Sequence, residues 1–165
     1  MRVVAVTDDQ GVVTEADWLE KAEHVHRQLR PQLPAHYASR LREVFAAGGR
    51  MAIAVEAGSV VSVAVWRVIE NTNEGRRLYV DDLVSDAARR SRGAGKLLLG
   101  WLEAKARSLG CGALALDSGV QRQDAHRFYF REGLAIFAYS FKKVLRSEED
   151  TSELQSHHDL VGRLL

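Results

Sequence analysis

The chain has one cysteine, two prolines and no long apolar run. A single cysteine, Cys111, cannot form an intramolecular disulfide, which excludes a disulfide-stapled secreted domain. No Cys/His cluster has the spacing of a zinc site, so we expect no metal. No run approaches the ~18 apolar residues of a membrane span, and the N-terminus lacks the basic and apolar regions of a signal peptide. These absences predict a cytoplasmic protein with no membrane partner.

The chain also lacks an excess of charge of either sign. Its 23 basic and 22 acidic residues nearly cancel, so it has no strong global field of the kind that draws a protein to nucleic acid. At 165 residues, with 46% hydrophobic residues, it is close to the ~150 residues of a typical domain. We expect one domain over residues 1–145 and, over residues 146–165, a polar tail that is a docked helix or partly disordered.

Two short helices are predicted before the main sheet. Thr14 and Asp17 have the spacing of a capping box, which predicts a helix through Leu29. A second helix is predicted with Pro34 in its first turn, ending before the pair Gly48-Gly49. Two more helices are expected later in the chain, over Lys96 to Leu109 and Asp124 to Arg131.

Runs of β-branched and aromatic residues predict a sheet that begins as an antiparallel meander. Ala57-Gly58 has the character of a hairpin turn. A short run near residue 115 is so apolar that we expect it to be a central, buried strand. The predicted strands are Arg2 to Val6, Met51 to Glu56, Ser59 to Val68, Arg77 to Val84, Ala113 to Leu116 and one or two pieces between Leu134 and Val144.

A basic, glycine-rich loop precedes the long helix predicted from Lys96. It reads Arg90-Ser-Arg-Gly-Ala-Gly95, and glycines before a helix N-terminus let backbone N–H groups converge on an anion such as a diphosphate. It is not a P-loop, because Arg90 stands where that motif needs glycine and Leu97 where it needs Ser or Thr. It is not a dinucleotide fingerprint either, because Leu98 stands where Gly or Ala is required.

Two motifs give this loop a more specific meaning. The first runs from Leu83-Val84 through Arg90-x-x-Gly-x-Gly-Lys96, and the second is Ala125-His-Arg-Phe-Tyr-Phe-Arg-Glu-Gly133. In order and spacing they resemble motifs A and B of the GNAT acetyltransferases. The resemblance covers nearly all of the chain before the tail. It implies an α/β fold with a mixed, largely antiparallel sheet of about six or seven strands flanked by helices, and an N-acetyltransferase that uses acetyl-CoA as co-substrate.

The resemblance also implies a set of cofactor-binding residues. The loop would hold the pyrophosphate, and a bulge near Asp82 would splay the strand that ends at Val84 from the Ala113 strand. The Leu83 or Val84 N–H would then polarise the thioester carbonyl. One position departs from the family pattern, because Arg122 stands where motif B often has asparagine. The implied residues are Leu83, Val84, Arg90, Ser91, Arg92, Gly93, Ala94, Gly95, Lys96 and Arg122.

Two catalytic roles follow from the same resemblance. Tyr129 corresponds to the family tyrosine that protonates the departing thiolate. Asp82 is the first choice for the base that removes a proton from the amine, directly or through water. Asp81 points to the other face if pairing is regular, although a bulge could exchange the two roles. Asp117, Ser118 and Glu70 are the remaining alternatives.

The resemblance implies that the acceptor is a primary amine of a small molecule or of a protein, and the sequence does not choose between them. Candidate residues lie on the first predicted helix, where His26 and Arg30 share a face, and at the beginning of the second. Ordinary helix surface explains them equally well. Cys111 is expected to be a packing residue rather than an acyl-carrying nucleophile. The acceptor-side candidates are His24, His26, Arg27, Arg30, His36 and Tyr37.

Two other functions fit some of these features. The domain is alternatively a non-catalytic acyl-CoA-binding regulatory module, which would keep the loop around Gly93 without turnover. Arg89, Arg90 and Arg92 would otherwise bind nucleic acid phosphates, an expectation that the balanced net charge disfavours. Pairing through the final strand and the apolar residues of the tail would give a homodimer.

Overall fold

The structure is a computed structural model that describes residues 1–90 and 92–145. The chain forms two compact units, Met1–Leu116 and Asp117–Leu165. Ser91 and the tail expected over residues 146–165 lie outside the described residues. The expectation of one domain over residues 1–145 stays a prediction.

The first unit is built on a five-stranded sheet. Its strands are β1 Arg2–Ala5, β2 Arg50–Glu56, β3 Ser59–Asn71, β4 Gly75–Ser85 and β5 Ala113–Leu116. They lie in the order β1-β2-β3-β4-β5, antiparallel except for the parallel pair of β4 and β5. The mixed, largely antiparallel sheet predicted from sequence is confirmed.

The turn between β2 and β3 is the predicted hairpin. Ala57 has a φ of 49° and Gly58 a φ of 75°, so both central residues have the positive φ that a type I′ turn requires. Glycine adopts this region without strain, whereas alanine has a Cβ that crowds the backbone. Ala57 is therefore a strained position in this turn.

Helices α1 (Ala16–Leu29) and α2 (Tyr37–Ala46) cover one face of the sheet. Leu19 and Leu41 pack there on Ile53 and Val63 in the main hydrophobic core. The predicted capping box is wrong, because the Thr14 hydroxyl donates to the carbonyl oxygen of Val6 and the helix begins after Glu15.

The start predicted for α2 is also wrong. The helix begins at Tyr37, beyond Pro34. The Arg27 guanidinium donates to the carbonyl oxygens of Leu33 and Pro34. These hydrogen bonds hold the residues before α2 as a loop.

Helix α3 (Ala94–Ser108) connects β4 to β5 and packs on the opposite face of the sheet. The Trp101 ring meets the edge of Trp66 on β3, with ring centroids 6.4 Å apart. Close to its N-terminus, Ala94 packs with Ala54 and Val61. Small residues at this contact bring the start of α3 close to the strands, which matters for the loop before it.

The second unit contains α4 (Gln123–Arg131), which ends before Gly133 with its φ of 86°. Residues 134–145 form no helix or strand, so the one or two final strands predicted there are wrong. Phe137 and Phe141 are more than nine-tenths exposed. Aromatic residues favour strands through packing on a pleated surface, and these two side chains have little such packing.

The expectation that Ala113–Leu116 is a central, buried strand is also wrong, because no described strand pairs with its other edge. In the described sheet β5 is the last strand, paired only with β4, and its four residues are half-buried. The sheet has five strands in the described residues rather than six or seven.

We predict that Ala57→Gly stabilises the protein. Glycine relieves the strain of a non-glycine residue in the left-handed region, which is about 1–2 kcal/mol. The greater flexibility of glycine in the unfolded chain offsets about 0.5–1 kcal/mol of this gain. The free energy of unfolding should rise by about 0.5 kcal/mol in urea titrations. As a control, Ala104→Gly in the exposed middle of α3 should lower it by about 1 kcal/mol. A destabilised Ala57→Gly variant would contradict the strained turn.

Candidate functional site

A one-residue bulge in β4 defines the centre of the candidate site. Val65 pairs with Asp82, but the next residue of β3, Trp66, pairs with Val80, so Asp81 is an extra residue in β4. Val80 shares the α3 face with Trp66, whereas the Asp82 carboxylate reaches α1. Without the bulge, residues 80 and 82 would point to the same face. The bulge therefore turns Asp82 toward α1.

The Asp82 carboxylate is held by two side chains of α1. His26 Nε2 lies 2.8 Å from Asp82 Oδ2, and Arg30 Nε donates to Oδ1 at 2.7 Å. His26 Nδ1 in turn lies 2.9 Å from the Tyr37 hydroxyl. His26 and Tyr37 are both buried. Three of the acceptor-side candidates, His26, Arg30 and Tyr37, thus converge on the first-choice base.

Asp81 has a different partner from Asp82. Arg67 Nε donates to Asp81 Oδ2 at 2.7 Å. Arg67 follows Val65 by two residues on β3 and shares its α1 face, so the Asp81 carboxylate lies on this face as well. The expectation that Asp81 points to the other face applies to regular pairing only; the bulge breaks that pairing, so both carboxylates lie on the α1 face.

The two carboxyl groups have opposite pKa displacements. Burial raises the pKa of Asp81, and the Arg67 hydrogen bond offsets only part of that rise. Burial alone would also raise the pKa of Asp82, but the hydrogen bonds and charges of His26 and Arg30 outweigh it and lower that pKa. Burial raises the pKa of Tyr37 far above its usual value, so its phenol stays protonated.

Among the described strands of the first unit, none pairs with β4 beyond Val80 on the β5 side, which we call the open side of β4. β5 ends at Leu116 opposite Val80, whereas β4 continues to Ser85. The Asp86 N–H donates to the carbonyl oxygen of Val61 on the β3 side. Amides alternate between the two sides of an antiparallel strand, so the Val84 N–H also faces β3 and the Leu83 N–H faces the open side. Of the two amides expected to polarise a carbonyl, only that of Leu83 points away from β3.

The glycine loop has the geometry of an anion site. Gly93 is the N-cap of α3 with a left-handed φ of 83°, and no side chain caps the helix there. Amides in the first turn of a helix have no partner within the helix and face any anion placed there. Arg90, Arg92 and Lys96 are exposed around this point. Of the residues expected to bind cofactor, Ser91 lies outside the described part of the chain.

Helix α1 also holds the beginning of this loop. Gln28 Nε2 donates to Asp86 Oδ1 at 3.1 Å, and the Ala87 N–H donates to Gln28 Oε1 at 2.9 Å. Neither Gln28 nor Arg67 was singled out from sequence. A charged residue such as Arg67 within the apolar run Val63-Ala-Val-Trp-Arg67-Val-Ile69 is a signal that could have found the second of them.

The second unit contains the expected acid. Tyr129 lies on α4 and is nine-tenths buried. Burial raises its pKa, which the Arg122 charge offsets in part, so the phenol is protonated at neutral pH. Arg122 is the N-cap residue of α4. The roles of Tyr129 and Arg122 stay predictions.

The alternative bases have other surroundings. Glu70 is exposed and forms an ion pair with Arg76 near the β3–β4 turn, at the far end of β4 from the bulge. In the second unit, the Asp117 carboxylate accepts from the Ser140 hydroxyl, and Ser118 bonds to His126. Burial raises the pKa of Cys111, which disfavours the thiolate that a nucleophile needs.

Residues 1–90 and 92–145 contain neither a group of metal-ligating side chains nor a membrane-spanning helix. No three His, Cys, Asp or Glu side chains are grouped there to hold a metal ion. None of the helices in these residues is long and apolar enough to cross a membrane.

Comparison with known proteins places the chain in a family. Residues 13–134 match the family model described as the Acetyltransferase (GNAT) family. The chain is 46% identical over 72 residues to the uncharacterized N-acetyltransferase YhdJ of Bacillus subtilis, which is 43% of this chain and 51% of that protein. It is 38% identical over 66 residues to the aminoalkylphosphonate N-acetyltransferase of Salmonella typhimurium, 40% of this chain and 43% of that protein. The aligned residues span about half the length of these relatives.

Among solved structures, the fold resembles an aminoglycoside N-acetyltransferase, AAC(6')-Iy, in complex with CoA. The TM-score is 0.74, and the match covers 88% of this chain and 95% of that one at 16% identity. At this identity the likeness supports the fold alone.

We predict that Asp82→Asn weakens the pH dependence of the free energy of unfolding in the acid range. A carboxyl whose pKa falls on folding adds stability above its unfolded pKa of ~3.9 and loses it as the pH falls through the folded pKa. At pH 7 the free energy of unfolding of the variant should be about 2 kcal/mol lower than that of the wild type, because the variant loses charged hydrogen bonds. Urea titrations should show this gap narrowing below about pH 4. Asp124→Asn, an exposed control, should show no gap at any pH, and a constant gap for Asp82→Asn would contradict the depressed pKa.

Proposed function

Since the chain belongs to the GNAT family of acetyltransferases, we propose that it is an acetyl-CoA-dependent N-acetyltransferase that acts on a primary amine. The observation that carries this proposal is the open side of β4 beyond the Asp81 bulge, together with the glycine loop at the start of α3, where Ala94 packs on Val61 of β3. The family match over residues 13–134 supports the same activity.

The glycine loop would hold the pyrophosphate of acetyl-CoA. Gly93 in its left-handed conformation exposes the first turn of α3, and an anion there is favoured by the helix dipole. Arg90, Arg92 and Lys96 would add positive charge. Ser91, Ala94 and Gly95 complete the proposed loop, and Arg122 is the proposed contact from the second unit.

Acetyl-CoA would supply a thioester that is activated toward attack by an amine. The Leu83 N–H, which faces the open side of β4, would donate to the carbonyl oxygen and stabilise the negative charge that develops on it. Val84 lies beside it with its amide toward β3 and would contribute to the shape of the site.

Two side chains would move the protons. Asp82 would take a proton from the acceptor ammonium, directly or through water, and the free amine nitrogen would then form a bond to the carbonyl carbon. The carbon–sulfur bond breaks, and Tyr129 would protonate the thiolate. The nitrogen would lose its excess proton, which would return to the Tyr129 phenolate through water. Asp81, which has the higher pKa of the two aspartates, is the alternative base.

The acceptor is a primary amine on a small molecule or a protein. The names of the similar proteins give two small-molecule examples of different charge, an aminoalkylphosphonate and an aminoglycoside. We expect the protein to be cytoplasmic. The homodimer expected from sequence stays a prediction, although residues 134–145 form no strand through which it would pair and the tail lies outside the described residues.

We predict that acetyl-CoA and CoA bind at Gly93. Asp and Asn tolerate the left-handed conformation about equally, so Gly93→Asp and Gly93→Asn differ mainly in charge. Calorimetric titration should show Gly93→Asp binding either ligand at least about tenfold more weakly than Gly93→Asn, through repulsion of the pyrophosphate. Equal affinities of both variants and the wild type would contradict this site.

We predict that Tyr129→Phe lowers kcat about a hundredfold, the typical contribution of a general acid, and leaves CoA binding unchanged. The comparison variant Tyr139→Phe removes the hydroxyl of an exposed tyrosine and should retain wild-type turnover. Release of CoA during acetylation of an amine provides the assay. Binding of acetyl-CoA without turnover on any amine would favour the non-catalytic acyl-CoA-binding module instead.

A further inference from the structure

The guanidinium groups beside the bulge have hydrogen-bond donors to spare. Arg67 uses only Nε, which donates to Asp81. Arg30 uses Nε and Nη2, which donate to the Asp82 carboxylate and the Asp81 carbonyl oxygen. In the described part of the chain, both Nη groups of Arg67 and Nη1 of Arg30 have no protein partner. Guanidinium donors of this kind match the oxygens of carboxylates and phosphonates.

The same cluster has one unused acceptor. Arg67 binds Oδ2 of Asp81, and no described residue donates to Oδ1. Both oxygens of Asp82, in contrast, already accept from His26 and Arg30. The side chains of Asp81, Arg67 and Arg30 are 26%, 31% and 42% exposed, against 12% for Asp82. The unused groups are therefore the ones that solvent, and a ligand, can reach.

The charges of this cluster favour one class of acceptor. Two carboxylates, of Asp81 and Asp82, face two guanidinium groups, of Arg30 and Arg67. A polycationic acceptor would meet no surplus of negative charge, and a simple monoamine would leave the free guanidinium donors without a ligand. A molecule that carries both an ammonium and an acidic group satisfies both kinds of unused partner.

We propose, on the basis of the proposed function, that the acceptor is a small zwitterion: a primary amine that also carries a carboxylate or phosphonate. Arg67 and Arg30 bind the acidic group through their free Nη donors, and Asp81 Oδ1 accepts a hydrogen bond from the ammonium. Asp82 and the Leu83 N–H follow Asp81 directly in β4, so the bound amine lies beside the proposed base and carbonyl site.

The test compares amines of similar length that differ in their second group. The probes are 2-aminoethylphosphonate, β-alanine, propylamine and 1,3-diaminopropane. Each is titrated calorimetrically into protein saturated with CoA, and each is assayed for acetylation with acetyl-CoA. We expect at least one acid-bearing amine to bind, and to be acetylated, at least about tenfold better than propylamine and diaminopropane, as charged hydrogen bonds predict. The better of the two identifies the acidic group.

Arg67→Gln removes the guanidinium at the centre of the proposal and should lower this preference about tenfold. The matched control is Arg40→Gln, which breaks a surface ion pair with Glu43 on α2 and should keep the preference. Arg67→Lys keeps the positive charge but not the paired N–H donors of the guanidinium, and it should retain part of the preference for acid-bearing amines.

Four results would overturn the inference. Acetylation that favours propylamine or diaminopropane would leave the enzyme proposal intact and exclude a zwitterionic acceptor. An Arg67→Gln variant that keeps the full preference would exclude the assigned binding residue. Acetyl-CoA binding with no binding or acetylation of either acid-bearing probe would exclude a small zwitterionic acceptor and leave the enzyme proposal intact. No acetyl-CoA binding would overturn the proposed function and this inference with it.

Discussion

The extra residue in β4 is the constraint on which the candidate site depends. Side chains alternate along a strand, so one inserted residue exchanges the faces of everything that follows it. After Asp81, Asp82 points to α1 instead of α3. The same shift leaves the Leu83 amide toward the side where β5 has already ended. The bulge thus sets the direction of both the Asp82 carboxylate and the neighbouring Leu83 amide.

A carboxylate turned into a helix–sheet interface needs donors, because burying a charge without partners is costly. Helix α1 supplies them through His26 and Arg30, and Tyr37 of α2 supports His26. Gln28, on the same helix, holds the residues that follow β4 through Asp86 and Ala87. One helix therefore positions both the acidic residues and the start of the glycine loop.

Local sequence signals predicted the parts of this arrangement that are local. The glycine loop, the long helix after it and the Ala57-Gly58 turn depend on residues that are neighbours in sequence. The contact of His26 with Asp82 joins residues 56 positions apart, so the hydrophobic periodicity of either segment could not predict it. The order of residues alone does not mark the bulge near Asp82, which only the family resemblance implies, so the faces of Asp81 and Asp82 could not be assigned. The final strands failed because aromatic content indicates β preference but not the presence of a partner strand.

The adjacent aspartates show how the fold gives different chemistry to identical residues. Asp82 has three donor groups on its two oxygens and a lowered pKa, so it is a fixed charge at neutral pH. Asp81 has one side-chain donor, a raised pKa and an oxygen that remains open. The donors hold Asp82, the proposed base, ionised and fixed in place, whereas the less strongly held Asp81 keeps one oxygen free to contact a ligand. The number of donors that each carboxylate receives, rather than the residue type, therefore distinguishes the two aspartates at this bulge.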